Sequence, residues 1–455
     1  MTVSPARRVA YRVIREVEAS DAYANLLLPV AITRAGLDAR DAALATELTY
    51  GTLRRLGTYD AIIAAAAARP VARIDPPVLD ALRLGVHQLM STRIASHAAV
   101  HETVDLVRAA TGDGATGFAN AVLRRIARET PGDWMARITA SARSMDERES
   151  LRTGHPVWIL RAFRRALAAE GRGEELPALL EADNASPTVT LAALPGLSAG
   201  AGLEPTPFSP IGYRWPGSDP AAALGESGGA LRVQDEGSQL AALALSRARP
   251  VRPGDRWLDL CAGPGGKTAV LAAEAWAGGA VLSANEPVPA RARLVREAVA
   301  ATPSRVDVTE QDGVLRARSE PGAYDRILVD APCTGLGALR RRPEARWRKT
   351  PSDVPELARL QRSLLSAAVG ALAPCGVLAY VTCSPHAAET ADVVSAVRAQ
   401  YRDELDELDA RAVLQRIARH PMDLAVPLDG SGRAQLWPHR HGTDAMSITL
   451  LQRRG

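Results

Sequence analysis

The chain has 455 residues, 47% of them hydrophobic, and a formal net charge of +4, which excludes wholesale disorder and predicts two or three domains. Its four cysteines, Cys261, Cys333, Cys375 and Cys383, include no C-x-x-C pair. A secreted disulfide framework is thereby excluded, and no metal site is expected. The N-terminal stretch MTVSPARRVAYRVIREVEAS lacks an apolar h-region and no apolar run is long enough to span a bilayer, so a cytoplasmic protein with no membrane partner is expected.

Residues 1–140 read as an all-helical domain. Val9, Val13, Ile14 and Val17 share one face of a first helix, and Arg8, Arg12 and Arg15 another. Helical periodicity continues over 41–68, 77–93, 97–110 and 117–129. The run AIIAAAAA (61–68) reads as small-residue packing, because Ala is the best helix former. Pro131-Gly132 closes the block. Residues 141–232 read as a connecting subdomain, with a helical piece at 156–171, a strand-like VTLAAL (189–194) and a stretch rich in Gly, Pro and Ser. From 233 to 455 strands and helices alternate. Strands are expected at 256–260, 280–285, 306–309, 325–330, 376–382 and 446–453, and helices at 266–277, 288–301, 353–373 and 387–400. That alternation predicts an α/β fold, a doubly wound Rossmann-like parallel sheet with ligands at the carboxyl ends of its strands.

The segment WLDLCAGPGGKT (257–268) passes from an apolar strand into a helix through the turn Cys261-Ala262-Gly263-Pro264-Gly265-Gly266-Lys267. Glycines there let the backbone approach a ligand and present N–H groups at a helix N-terminus. One reading is a phosphate loop, since Gly266-Lys267-Thr268 matches the end of G-x-x-x-x-G-K-[ST] and RILVDAP (326–332) could carry a magnesium-binding Asp. Against it, Cys261 stands where the first Gly belongs and Pro264 stiffens the cradle. The other reading is a loop for S-adenosylmethionine, whose adenosine offers hydroxyls rather than phosphates. Glu286, 20 residues after Gly266 at the end of the next strand, can accept hydrogen bonds from both ribose hydroxyls. Asp312, in EQDG (310–313), is placed to reach the adenine edge. A lone turn acid is more often a helix cap, but two at successive strand ends favour the second reading.

DAPCTGLG (330–337) and VTCSP (381–385) each put a thiol at the carboxyl end of a central strand. Buried structural cysteine is the ordinary case, and Cys375 in LAPCGV fits it. Around Cys333 and Cys383 the Pro, Gly and Ser neighbours mark turns instead. Cys383 is also expected just ahead of a helix N-terminus, which lowers a thiol pKa from about 8.5. Such thiols suit methylation of cytosine carbon 5. Thiolate addition to carbon 6 makes the ring an enamine able to attack a sulfonium methyl; carbon 5 then loses its proton and the thiol leaves. Asp330 could stabilise the adduct through ring N3 or the exocyclic amine, and the base must be single-stranded or flipped from its stack.

Taken together, CAGPGGKT, DAPCTGLG and VTCS resemble the bacterial rRNA cytosine-5 methyltransferases of the Sun or Fmu family. RVQDEGSQL (232–240) resembles the beginning of that family's catalytic domain, and HPVW (155–158) that of its connecting segment. Residues 1–140 resemble the helical RNA-binding fold of the antitermination factor NusB, FANAVLRRI (118–126) most characteristically. The resemblance implies a class I methyltransferase that uses S-adenosylmethionine on small-subunit (16S) rRNA. It implies Cys383 as nucleophile, Cys333 in release of the methylated base, and cofactor contacts from Cys261 through Lys267, Glu286, Asp312 and Asp330. Three departures stand out: Glu286 where the family usually has Asp, SPHAAET (384–390) where acidic residues tend to follow the nucleophile, and MSITLL without the usual aromatic pair.

The run LRRRPEARWRK (339–349) sets Arg340, Arg341, Arg342, Arg346, Arg348 and Lys349 against Glu344, with Trp347 among them. Charge runs are usually solvated faces. Directly after a thiol turn, this one is expected to bind RNA, with Trp347 stacking on an unpaired base, and Arg124, Arg125 and Arg128 extend the track. RNA is the expected partner and a monomer the default. Two other classes stay open: a NusB-like recruiting module with an inactive methyltransferase fold, and a phosphate-loop NTPase.

Overall fold

The computed structural model describes residues 3–20, 22–198, 200, 202–217 and 220–455. The chain forms two compact units, one of Met1–Arg161 with Leu339–Arg348, the other of Ala162–Ala338 with Lys349–Gly455. The segment 141–232, read above as a subdomain, is divided between them.

The first unit is helical. Its helices include Pro5–Ala19, Ala24–Ala35, Ala39–Arg54, Leu56–Ala67, Pro76–Ser91, Ser96–Thr111, Thr116–Ile126, Pro131–Ala140 and Met145–Thr153. Val9, Val13, Ile14 and Val17 are buried, as their spacing predicts. The stretch 41–68 breaks at Arg55, whose backbone (φ −116°, ψ 20°) leaves the helical region. Trp134 is fully buried and its indole N–H donates to the Ile126 carbonyl at 3.0 Å, so its polar end is satisfied inside the core. Arg83 ties three acids together, Asp60 and Asp80 by short contacts and Glu18 at 3.0 Å.

The ten residues Leu339–Arg348 belong to this helical unit, and the expectation that Arg346, Trp347 and Arg348 meet RNA fails, because their donors are taken up inside it. Arg346 is fully buried and donates to the carbonyls of Arg54 (2.8 Å) and Gly154 (3.3 Å). The Trp347 indole donates to the Leu53 carbonyl at 2.8 Å. Arg348 donates to the carbonyls of Val17 (2.5 Å), Ser20 (2.9 Å) and Ala22. The last carbonyls of an α-helix have no partner within it and carry partial negative charge. These side chains supply donors at the ends of Pro5–Ala19 and Ala39–Arg54. Arg340 is buried as well, while Arg342 is exposed with its guanidinium 5.2 Å from the Tyr23 ring centre.

The second unit holds two sheets. The smaller consists of β1 (Thr190–Ala193), β2 (Glu204–Pro205), β3 (Gly212–Arg214) and β4 (Leu231–Val233), antiparallel in the order β2-β3-β1-β4. The larger comprises β5 (Arg256–Asp259), β6 (Val281–Asn285), β7 (Asp307–Thr309), β8 (Tyr324–Asp330), β9 (Leu372–Thr382), β10 (Leu405–Leu408), β11 (Ala434–Gln435) and β12 (Ser447–Arg453). Its order is β10-β12-β9-β8-β5-β6-β7, with β11 paired to β12. The five strands from β7 to β9 are parallel to their neighbours, whereas β12 runs antiparallel to β9, β10 and β11. The sheet is therefore mixed, not wholly parallel as expected. Central strands are covered on both faces, so they read as continuous apolar runs rather than alternating ones. Leu258, Ile327, Leu378 and Tyr380 pack on one face, Trp257, Leu328, Val377 and Ala379 on the other. Strand order reverses at β5, which opens a crevice at the carboxyl ends of β5 and β8. Among the described residues no helix is long and apolar enough to cross a membrane.

Candidate active site

The glycine-rich turn links β5 to the helix Gly266–Gly278. Gly265 takes the left-handed conformation (φ 102°), and a Cβ there would lie 2.5 Å from Ala298 Cβ, so backbone and packing both demand glycine. At Gly263 a Cβ would lie 2.1 Å from Glu286 Oε2, because the Gly263 N–H donates to that oxygen at 3.1 Å. Glu286 Oε1 accepts from the Val288 N–H at 3.0 Å, and Arg291 stands 3.5 Å away. Glu286 is thus buried and latched to the loop. Asp312 caps the helix Gly313–Arg318, its Oδ1 accepting from the N–H groups of Val314 and Leu315. The ordinary capping role is realised there, through one oxygen.

Lys267 reaches across to Asp330 at the end of β8, Nζ to Oδ2 2.8 Å. Burial works against the lysine's charge, but the charge and hydrogen bond of Asp330, with Cys383 and Asp259, hold its pKa above the ordinary range. Asp259, which sequence reasoning passed over, ends β5 fully buried. Burial pushes its pKa up to about 7, despite a hydrogen bond from the Thr268 hydroxyl at 2.8 Å. The only available signal was its place as the acid directly before the turn. Burial also raises the Cys261 thiol well above its usual range, aided by the charges of Asp259, Asp330 and Glu286, which disfavours its thiolate. Gln234 leaves its Oε1 buried and without a partner, and its side chain lies 3.6 Å from a Cβ built on Gly266. Acceptors and backbone line this turn, and its cations Lys267 and Arg291 are already paired. The set suits a ligand with hydroxyls and an amino group, and is poor for a polyphosphate.

The two strand-end thiols meet. Cys333 Sγ and Cys383 Sγ are 3.5 Å apart, each half-buried. The Ala331 N–H donates to the Val381 carbonyl and the Gly337 N–H to the Cys383 carbonyl, at 2.9 and 2.8 Å. That second bond needs glycine, since a Cβ on Gly337 would lie 2.0 Å from the Ala445 carbonyl oxygen. Its contact with Cys383, burial, and the charges of Cys383 and Glu389 hold the Cys333 thiol well above its ordinary range. Two expectations fail here. The helix after Cys383 begins only at Ala391, beyond Pro385 and the short 3-10 turn Ala387–Glu389, so no helix N-terminus abuts the thiol. Cys375 is exposed, with φ 60°, rather than part of the core. Glu389, absent from the sequence reading, joins the two turns through Thr334 and Ser384. Residues 340–348, counted with the helical unit, are not among the groups brought together here, and Lys349 is half-buried. No cluster of three or more His, Cys, Asp or Glu placed to hold a metal occurs among the described residues.

Residues 248–452 match the family described as 16S rRNA methyltransferase RsmB/F. A Pseudomonas putida protein named ribosomal RNA small subunit methyltransferase B is 33% identical over 87% of this chain and 89% of its own. The chain belongs to the RsmB/F family. Residues 4–128 match the NusB family, in agreement with the resemblance read from FANAVLRRI. A Mycobacterium tuberculosis protein named only as a methyltransferase is 46% identical over 99% of this chain and 97% of its own. The crystal structure of PH0851 shares the fold at 21% identity, with a TM-score of 0.79 over 99% of both chains. As an RsmB/F member the protein is an rRNA methyltransferase whose cofactor is S-adenosylmethionine, which removes the phosphate-loop NTPase from consideration.

Proposed function

We propose that this RsmB/F enzyme methylates carbon 5 of a cytosine in 16S rRNA through a covalent adduct between Cys383 and carbon 6. One observation carries the reading: two thiols 3.5 Å apart at the ends of adjacent strands, with a half-buried Lys267–Asp330 pair whose lysine feels the Cys383 charge. Carbon 5 of cytosine is too weak a nucleophile to react unaided. Addition of the Cys383 thiolate to carbon 6 forms an S–C bond and places enamine electron density on carbon 5. When bound, S-adenosylmethionine supplies an electrophilic methyl group. Carbon 5 then loses its proton and the S–C bond breaks, returning its electron pair to Cys383. Solvent water takes the carbon 5 proton, and Cys333, held protonated 3.5 Å from Cys383, donates to the departing sulfur and so assists release. Asp330, oriented by Lys267 through one oxygen, offers the other to the exocyclic amine or a protonated N3. Cys261 through Lys267, with Glu286 and Asp312, form the cofactor's binding turn. Arg124, Arg125 and Arg128, exposed on the helical unit, and Arg342 and Lys349 are offered to the RNA backbone.

Bisulfite mapping of 16S rRNA from cells with and without the gene tests the reaction. One protected cytosine should become convertible when the gene is lost; identical maps would refute cytosine-5 methylation. Cys383→Ala should abolish methyl transfer while cofactor binding survives. Cys333→Ala should instead accumulate a covalent RNA adduct, visible as a slow band on a denaturing gel, which the double substitution removes. An adduct in C383A but not in C333A would reverse the two roles.

A further inference from the structure

Six residues beyond Cys383 stands Glu389, fully buried. Its Oε1 accepts from the Thr334 N–H at 2.7 Å and from Gln361 Nε2 at 3.3 Å. Its Oε2 accepts from the hydroxyls of Thr334 (2.5 Å) and Ser384 (2.6 Å). The Tyr380 hydroxyl, on β9, donates to its backbone carbonyl at 2.7 Å. Thr334 follows Cys333 in the chain, and Ser384 follows Cys383. Their own hydroxyls are 3.1 Å apart. A buried carboxylate is tolerated only when donors surround it, and here the donors come from the residue next to each thiol. Sulfur, by contrast, forms only weak hydrogen bonds, so the thiols themselves cannot hold this geometry.

We propose that Glu389 is a positioning residue for the covalent reaction, a buried carboxylate that clamps the residue after each thiol and so holds the pair at contact distance. The proposal rests on the thiol-adduct reading given above. Its second consequence is electrostatic. The Glu389 charge helps keep the Cys333 thiol protonated, after the larger effects of the Cys383 contact and burial. The cation in the cluster, Lys267, is coupled to Cys383 and to Asp330 and Asp259.

The test compares three variants of the full-length protein. Glu389→Gln keeps the shape and removes the charge, because the Thr334 and Ser384 hydroxyls can rotate to accept from the new amide. Glu389→Ala removes the clamp, and Glu389→Asp shortens its reach. E389A and E389D should lower kcat about 100-fold, as a displacement of about 1 Å at a reacting group does, with S-adenosylmethionine affinity unchanged. Diamide, which oxidises adjacent thiols to a disulfide, should cross-link Cys333 to Cys383 quickly in the parent and in E389Q and much more slowly in E389A. In E389Q the pH midpoint for alkylation of Cys333 by iodoacetamide should move down, a change that a purely structural role would not produce. Unchanged kcat and cross-linking in E389A overturn the clamp. Should E389A fail to fold, an unmoved alkylation midpoint in E389Q overturns the proposal by itself. Turnover by C383A would fell the covalent mechanism and the clamp with it, whereas an inactive C383A beside a fully active E389A fells the clamp alone.

Discussion

Two segments of this protein advertise themselves by polar residues at the end of a strand, and they come to opposite ends. In the turn 261–268 the glycines bring backbone N–H groups, Glu286, Lys267 and Asp330 around a crevice, and Gln234 Oε1 is left without a partner beside it. In the run 339–348 the densest positive charge of the chain is turned inward, where Arg346 and Arg348 meet the unfilled carbonyls of helix ends. Composition does not separate the two. What separates them is which unfilled groups lie within reach: helix C-termini take up cations, whereas the glycine turn at a strand-order reversal has an open acceptor, Gln234 Oε1, beside it.

The sharpest way to break that contrast is at Arg346. Arg346→Ala removes donors from two buried carbonyls and should cost about 2–4 kcal/mol of stability in the helical unit, read as a lowered first transition in calorimetry. A loss under about 0.5 kcal/mol, the usual surface value, would return the run to the solvated class. Glu286→Ala should weaken S-adenosylmethionine binding by about 1.5–3 kcal/mol, with part of the loss arising from the unlatched Gly263. Equal affinity in titration calorimetry would remove Glu286 from the cofactor site. Asp259 sharpens the other side of the contrast through pH. Its folded pKa of about 7 lies above the ordinary 3.8, so the folded state keeps a proton that the unfolded chain releases. That contribution to stability is complete below about pH 4 and is lost as pH rises through 7, at about 1.4 kcal/mol per unit. Asp259→Asn should flatten the fall in melting temperature between pH 5 and 7; parallel curves for the two proteins would show that Asp259 ionises normally. The smallest effect is expected at Arg342, exposed in the run. Its replacement by Ala should reduce the salt slope of rRNA binding by about 1, and an unchanged slope would take Arg342 out of RNA contact.

The turn at 261–268, the two thiols and the strand–helix alternation were legible because each is a local pattern: glycine where the backbone must bend, apolar runs where a strand is covered on both faces. The small sheet was not, apart from its VTLAAL strand. Its other strands are two or three residues long and lie among Gly, Pro and Ser, too short to show a period. The antiparallel β12 was visible as a strand but not in direction, which its register against β9 decides. Glu389 was hidden in SPHAAET, because its partners are Thr334 and Gln361, 55 and 28 residues away. Arg346 and Trp347 misled for the same reason. Their acceptors, Arg54 and Leu53, are nearly 300 residues back in the chain, beyond anything periodicity can report. Cys375 misled because the rule that cysteine is buried is statistical, and a left-handed residue at the solvent end of β9 escapes it.

The helical unit's claim on Leu339–Arg348 has a consequence for biosynthesis. Domains made early on the ribosome ordinarily complete their folding while the rest is translated, at about 5–20 residues per second. Here the first 161 residues emerge without the segment that supplies Arg346 and Trp347, and it follows only after 177 further residues of the other unit. Leu53, Arg54 and Gly154 must wait that interval, some 9–35 seconds at those rates, with their carbonyls facing water or a chaperone. The nascent N-terminal third is therefore exposed to proteases for longer than its position in the gene implies, and its completion is timed by synthesis of the segment that follows the Cys333 turn.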